Sequence, residues 1–134
     1  MSEPVIEVYL LKSRDSLAGA ASEYANGRFD NCPNRAYYAC FQAAVAALLR
    51  EGIRPPGQTA RWGHDFVQAR FVGDLINRRG LYPAAIRDAL FRGMELRQTA
   101  DYRTERVSAI QASRQVARAR AFVDAVAAKG VPKR

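Results

Sequence analysis

The sequence is poor in the residue types on which metal sites and disulfides depend. It has one histidine and two cysteines among 134 residues. Cys32 and Cys40 stand on one predicted helix, where their separation would be about 12 Å, beyond the ~7 Å limit for a disulfide. We therefore expect two free thiols in a reducing compartment, no metal site and no cofactor.

Long apolar runs are also absent. The longest, residues 43–49, is far too short to span a bilayer. Glu3 and Glu7 are acidic in the region where a signal peptide would be basic. These features predict a soluble, cytoplasmic protein that does not associate with a membrane.

Lysine is scarce, although the chain is strongly basic. Only Lys12, Lys129 and Lys133 are lysines, yet the formal net charge is +8 and the pI is near 10.1. Arginine contacts phosphate in a planar, bidentate way, so the charge indicates RNA or a nucleotide as a partner. A GC-rich genome would explain the preference for arginine over lysine equally well.

What the chain does contain is a helical pattern of apolar residues. Hydrophobic residues make up 49% of the chain and charged residues 25%, as in an ordinary globular protein. We expect helices at residues 4–26, from a cap at Asp30 or Asn31 to residue 50, and at residues 60–79, 82–100 and 104–128. This predicts one all-α domain over residues 1–134, an antiparallel up-and-down bundle of four to five helices. Residues 5–128 should be ordered and residues 129–134 should form a basic tail.

The apolar residues also predict which helix is central. Between residues 36 and 49 only Gln42 is plainly polar, so helix two should be the most buried. The other helices should bury one face each: Ile6, Leu10, Leu17, Ala20 and Tyr24 in helix one; Phe66, Val67, Phe71, Leu75 and Ile76 in helix three; Ile86, Leu90 and Met94 in helix four; Ala109, Ala112, Val116, Ala119, Val123 and Val126 in helix five.

One charge falls on a face that should be buried. Arg97 continues the stripe of Ile86, Leu90 and Met94 on helix four. Asp101, one turn later, is the nearest candidate partner. The pair is interpreted in two ways: as a phosphate-binding arginine held by a carboxylate, or as an ion pair that stabilises the end of the helix.

Other candidate residues have two interpretations each. Asn34 and Arg35, at the start of helix two, would either bind an anion or cap the helix and face solvent. Of the adjacent Tyr37 and Tyr38, at most one faces the core, which leaves the other for a groove or an interface. The single histidine, His64, is either a site residue or an ordinary structural one.

Helix five carries arginines opposite its apolar face. We interpret them as a solvated face, because no aromatic residues are interleaved among them. An RNA-binding stripe is the alternative. They are Arg103, Arg106, Arg114 and Arg118.

Two motifs, one in predicted helix two and one at the end of predicted helix four, together resemble the HEPN family of small helical-bundle proteins. The first is Asn34-Arg35-Ala36-Tyr37-Tyr38-Ala39-Cys40-Phe41-Gln42-Ala43-Ala44, and the second is Leu96-Arg97-Gln98-Thr99-Ala100-Asp101-Tyr102. Gly52-Ile53-Arg54-Pro55, together with His64 followed by Phe71, adds to the resemblance. It extends over nearly the whole chain, from about residue 10 to residue 127.

The resemblance implies a helical bundle that usually forms a homodimer. Members are often encoded beside a minimal nucleotidyltransferase, with which they form a toxin–antitoxin pair or a related complex. Many members are metal-independent ribonucleases whose motif is an arginine, four to six residues and a histidine, with two copies meeting across the dimer. His64 matches a histidine that many members of this branch carry at the start of helix three.

Arg97 matches the arginine of that motif, but the histidine is replaced. The corresponding positions are Tyr102, Arg103 and Thr104, and the family's Phe-His-Ala is Phe41-Gln42-Ala43 here. Histidine suits metal-free RNA cleavage because its pKa is near 6.5, whereas tyrosine, with a pKa near 10, is a poor base at neutral pH. Tyr102 is interpreted as a core aromatic, a phosphate ligand or a site that the nucleotidyltransferase modifies.

Three functions follow from this pattern. The main prediction is a HEPN-type bundle that binds RNA or nucleotide phosphate through Arg97 and its neighbours. The alternatives are an atypical metal-independent ribonuclease that uses Arg97 with His64 or Tyr102, and a structural adaptor.

Overall fold

The computed structural model describes residues 3–57, 61–102 and 104–130, and within them it contains helices and no strand. The predicted all-α fold is therefore confirmed. The main helices are α1 (Glu3–Ala25), α2 (Cys32–Arg50), α3 (His64–Arg70), which continues as a π-helix over Phe71–Arg78, α4 (Ala89–Tyr102) and α5 (Ala109–Gly130). Short 3₁₀ helices cover Phe29–Asn31 and Ala84–Ile86. No helix of the described residues is long and apolar enough to cross a membrane.

Helix α2 lies at the centre of the bundle, as its composition predicts. Every residue from Ala43 to Leu49 is buried, because α1, α3, α4 and α5 all pack against it. Its small residues allow those neighbours to approach closely. Cys32 and Cys40 are both buried in this helix, and both are free thiols as predicted.

The buried faces of the other helices largely follow the periodic pattern. Ile6, Leu17 and Ala20 of α1 are buried, but Tyr24 is 38% exposed, so its prediction as a core residue was wrong. Its ring lies against Phe29 at the surface, with 5.7 Å between ring centroids, because α1 ends one residue later.

Helix α3 begins later than the sequence pattern predicts. The predicted start at residue 60 lies outside the described residues, but residues 61–63 are not helical. Gly63 has an extended backbone, with φ −80° and ψ 154°, and the helix begins after it at His64. The predicted stop at Gly80 is confirmed, since that residue has a φ of +62°.

Helix α4 begins at Ala89 rather than near residue 82. Helix α5 also begins later, at Ala109 rather than near residue 104, and Ala109 is exposed, so its prediction as a core residue was wrong. Ser108 Oγ accepts a hydrogen bond from the Gln111 backbone N–H at 3.1 Å, and Gln111 Oε1 accepts one from the Ser108 N–H at 2.9 Å. This is a capping box, which satisfies backbone donors at the helix start. The helix extends to Gly130, and most of the predicted basic tail lies outside the described residues.

Candidate functional site

The site depends on a close approach between α4 and α2. A Cβ added at Gly93 would lie 3.2 Å from Tyr37 Cδ1 and 3.0 Å from Gln115 Nε2. Only a glycine allows the helices this separation without a shift of its neighbours. One turn further along α4, the side chain of Arg97 consequently lies over the tyrosines at the start of α2.

Arg97 packs against the two adjacent tyrosine rings. Its guanidinium carbon is 5.3 Å from the ring centroid of Tyr38 and 5.8 Å from that of Tyr37. Its side chain is only 18% exposed. Ring faces attract a cation at these distances, so both tyrosines help to stabilise and orient the charge.

The charge of Arg97 is only weakly paired. Its Nε is 3.6 Å from Asp101 Oδ2, which is an ion pair but too long for a hydrogen bond. That Nε is buried and has no hydrogen-bond partner among the residues that the structure describes. Asn34 Nδ2, from the start of α2, donates to the same Asp101 oxygen at 3.4 Å. The carboxylate is thus shared loosely between two helices, and the guanidinium retains donor capacity for another anion.

His64, the first residue of α3, lies within this group of rings. Its Nδ1 is 2.5 Å from the Tyr37 hydroxyl oxygen. The centroid of its ring is 5.0 Å from that of Phe41 and 6.3 Å from that of Tyr38. Along the chain, a loop lies between the two tyrosines and this imidazole. The packing of α3 on α2 brings them together. We call Arg97, Asp101, Asn34, Tyr37, Tyr38, Phe41 and His64 the Arg97 cluster.

The environment favours the neutral forms of His64 and Tyr37. Burial lowers the pKa of His64, and the positive charge of Arg97 lowers it further, while Asp65 opposes the shift. Burial is likewise the main reason that the pKa of Tyr37 is raised, so its hydroxyl stays protonated. At neutral pH, the cluster therefore contains a neutral imidazole, a protonated phenol and a charged guanidinium.

The direction of the hydrogen bond between Tyr37 and His64 determines whether the second ring nitrogen, Nε2, is a donor or an acceptor. If Tyr37 donates to Nδ1, the imidazole carries its proton on Nε2, which is then a donor. In the other tautomer, Nδ1 donates to the hydroxyl oxygen and Nε2 has a free lone pair. The first arrangement suits binding of an anion, and the second suits removal of a proton.

Six of the eight predicted site residues meet in the cluster. Arg35 does not, because its side chain lies beside Gly19 of α1, where an added Cβ would be 3.0 Å from its Cδ. The side chain of Tyr102 lies outside the described residues. Two contributors were missed: Phe41, which follows Tyr37 by one helical turn, and Gly93, whose place inside a helix signals close packing.

The described residues contain no group of three histidine, cysteine, aspartate or glutamate side chains arranged to hold a metal ion. The cluster instead combines one cation, one carboxylate, one imidazole and several aromatic faces. These groups are suited to contacts with phosphate and with the faces of nucleobases.

The comparisons with known proteins agree with the family pattern. A family model described as the HEPN domain matches residues 6–130, which include every member of the Arg97 cluster. A search of curated proteins finds no match. The family match supports a helical domain related to nucleotides or RNA. Because it covers nearly the whole chain, the protein belongs to the HEPN domain family.

Proposed function

We propose that this HEPN domain binds RNA or a nucleotide by contacting a phosphate group at the Arg97 cluster. The observation that carries the proposal is the incomplete pairing of Arg97. Its guanidinium is held over two tyrosine rings, yet within the described part of the chain its Nε has no hydrogen-bond partner, and its carboxylate partner is 3.6 Å away. The buried Nε is out of reach of a ligand, but the terminal nitrogens make one hydrogen bond among the described residues, from Nη1 to Met94 Sδ at 3.6 Å. Their remaining N–H donors suit phosphate oxygens.

The neighbouring groups fit the same ligand. Asn34 Nδ2 makes only a long hydrogen bond to Asp101, at 3.4 Å, and is available to a phosphate oxygen. Tyr38 and Phe41 are partly buried, and their rings offer faces on which a base stacks. The formal net charge of +8 attracts a polyanion to the whole molecule. Asp101 then acts as the group that orients Arg97.

Metal-independent ribonuclease activity is the second candidate, and the position of His64 favours it. The imidazole lies within the Arg97 cluster, and its lowered pKa keeps it neutral, as a general base requires. RNA cleavage also needs a group that protonates the leaving oxygen. The chain has one histidine, so a homodimer that brings two clusters together would supply the second imidazole, with Tyr102 as the alternative proton donor.

We further propose that the protein acts with partners. A homodimer and a pairing with a minimal nucleotidyltransferase in a toxin–antitoxin-like system both come from the family resemblance. In such a pair Tyr102, near the end of α4, would be the residue that is modified. A structural adaptor is the third possibility, in which Arg97 and Asp101 only stabilise the end of α4.

Binding and cleavage assays on metal-free protein separate these functions. Wild type, Arg97→Ala, His64→Ala and Arg120→Ala would be tested with single-stranded RNA and with nucleotides over a range of salt concentrations. Arg120 is an exposed arginine of α5 outside the cluster, and its variant controls for the loss of one charge. We expect salt-sensitive binding that Arg97→Ala weakens about tenfold, since hydrogen bonds to charged groups contribute about 1.5–3 kcal/mol.

The remaining outcomes identify the alternatives. Cleavage that is lost in both Arg97→Ala and His64→Ala would replace the binding function with a nuclease. If the Arg97→Ala protein is less stable but binds as wild type does, the structural adaptor is the function that remains. Equal weakening by Arg97→Ala and Arg120→Ala would show that only net charge matters, and the proposed site would be wrong.

A further inference from the structure

A second feature lies on the other side of α4, where it faces α5. The two helices border an open cleft with a volume of about 480 Å³. Residues of α4 line one wall, and Gln111, Arg114 and Arg118 of α5 line the other. The α4 residues Glu95 and Thr99 point away from Arg97, because residues two positions apart on a helix are about 200° apart around its axis. This cleft is therefore separate from the Arg97 cluster.

The cleft gathers positive charge with little compensation. Three arginines line it, Arg92, Arg114 and Arg118, and Glu95 is the one carboxylate among its described lining residues. Among the described residues, Arg114, Arg118 and Glu95 make no ion pair. Within the same described set, Arg92 pairs only with Asp88, at 4.0 Å, and both side chains are more than half exposed. Such a pair contributes little and leaves the charge of Arg92 available.

Arg118 shows that the cleft differs from a solvated helix face. The sequence pattern assigned this arginine to solvent, but it is partly buried where it lines the cleft, so that prediction was wrong. Among the residues with a described position, its buried Nε has no hydrogen-bond partner, and its Nη2 makes only a 3.5 Å contact with Gln115 Oε1. Burial and the nearby charges of Arg92 and Arg114 lower its pKa. Neighbouring like charges, together with an unsatisfied donor, favour the binding of an anion.

We propose that this cleft binds an oligophosphate, a short chain of phosphate groups that is either inorganic or carried by a nucleotide. Several arginines along facing helices match several anionic groups better than a single one, and arginine contacts phosphate oxygens in pairs. Gln111 adds a neutral donor, its Nε2, since only its Oε1 is used in the helix cap. The described lining residues include no aromatic side chain, so the cleft offers no surface on which a base stacks. It recognises the phosphates and is indifferent to the base.

Glu95 has a specific role in this proposal. Its carboxylate lies in the same lining as the three arginines and repels an anionic ligand. Replacing it by glutamine keeps the size of the side chain and removes the repulsion. Glu95→Gln should therefore tighten oligophosphate binding, which a merely structural cleft would not do.

Calorimetric titration of the full chain tests the proposal. The titrants are inorganic triphosphate, ATP and adenosine, and the buffer contains EDTA and little salt. We expect triphosphate and ATP to bind and adenosine not to bind. Arg114→Gln, an exposed position where folding is not at risk, should weaken binding about tenfold, as the loss of one charged hydrogen bond implies. Arg118→Gln should weaken it at least as much, and circular dichroism checks that this variant folds. Arg120→Gln, also on α5 but outside the cleft, should bind as wild type does.

The two phosphate sources are distinguished by affinity. Equal affinity for triphosphate and ATP supports recognition of the phosphates alone. Tighter binding of ATP, with the same dependence on Arg114, would identify a nucleotide as the ligand and overturn the indifference to the base. The proposal is overturned if triphosphate does not bind, or if Arg120→Gln weakens binding as much as Arg114→Gln. It is also overturned if Arg97→Gln abolishes binding while Arg114→Gln leaves it unchanged, which would place the ligand at the Arg97 cluster.

Discussion

The hydroxyl oxygen of Tyr37 lies 2.5 Å from Nδ1 of His64, so the only imidazole of the chain is tied to its most buried helix. Tyr37 is also one of the rings beneath Arg97. One buried tyrosine thus links the two groups on which the binding and nuclease functions depend. A change in the packing of Tyr37 should therefore affect both Arg97 and His64.

The ring protons of His64 should report its pKa directly by NMR, because no other histidine contributes a signal. Burial and Arg97 lower this pKa, so the titration midpoint should lie below the ordinary value of about 6.5. Arg97→Gln removes the positive neighbour and should raise the midpoint. Arg120→Gln should leave it unchanged. A wild-type midpoint at or above 6.5 would contradict the influence of partial burial and of Arg97 on the imidazole.

The same shift has a consequence for stability. A histidine with a lowered pKa in the folded state takes up its proton more readily when the chain unfolds. Its contribution to the free energy of unfolding is therefore complete above about pH 6.5 and is lost as the pH falls toward the folded-state pKa. His64→Gln should remove this part of the pH dependence.

Two helical glycines should respond oppositely to alanine. A Cβ at Gly93 meets the buried ring of Tyr37 at 3.2 Å, whereas a Cβ at Gly73 meets nothing within 4 Å. Gly73→Ala should stabilise the protein by about 0.5–1 kcal/mol through backbone entropy. Gly93→Ala should destabilise it by about 1 kcal/mol, because overpacking of about 1–3 kcal/mol exceeds that gain. Urea unfolding measures both, and a stabilised Gly93→Ala variant would refute the close contact.

Asp30 should be important for the connection between α4 and α5. Its Oδ1 accepts a hydrogen bond from the buried Val107 backbone N–H at 2.7 Å, and its Oδ2 accepts one from Arg106 Nε at 2.7 Å. Asp30→Ala should lower the free energy of unfolding by about 1–2 kcal/mol at pH 7. Arg106→Gln should have a much smaller effect, since that side chain is 82% exposed.

The pH dependence of the Asp30→Ala effect has a definite sign. The Val107 hydrogen bond is the largest cause that lowers the pKa of this carboxyl. Its stabilising contribution is therefore present above the unfolded pKa and is lost as the pH falls through the folded one. The difference between wild type and Asp30→Ala should shrink in acid, and a difference that grows in acid would contradict this account.

The sequence was sufficient to predict features that depend on local periodicity. The apolar composition of α2 predicted the central helix, because a helix that is apolar all round has to be buried on every side. The stripe through Ile86 and Leu90 predicted that Arg97 would be largely buried. The capping box of Ser108 and Gln111 was also readable in the sequence, although the predicted start of helix five missed it.

Distances between helices were decided only by the tertiary structure. Periodicity shows which face of a helix is buried, but not how closely two helices approach or which residues meet across a loop. The contact of His64 with Tyr37 depends on where α3 begins. The position of Arg97 over the tyrosine rings depends on the glycine at position 93, which has no Cβ. Arg118 was assigned to solvent for the same reason, since a gap between α4 and α5 arises from packing and leaves no periodic trace in the sequence.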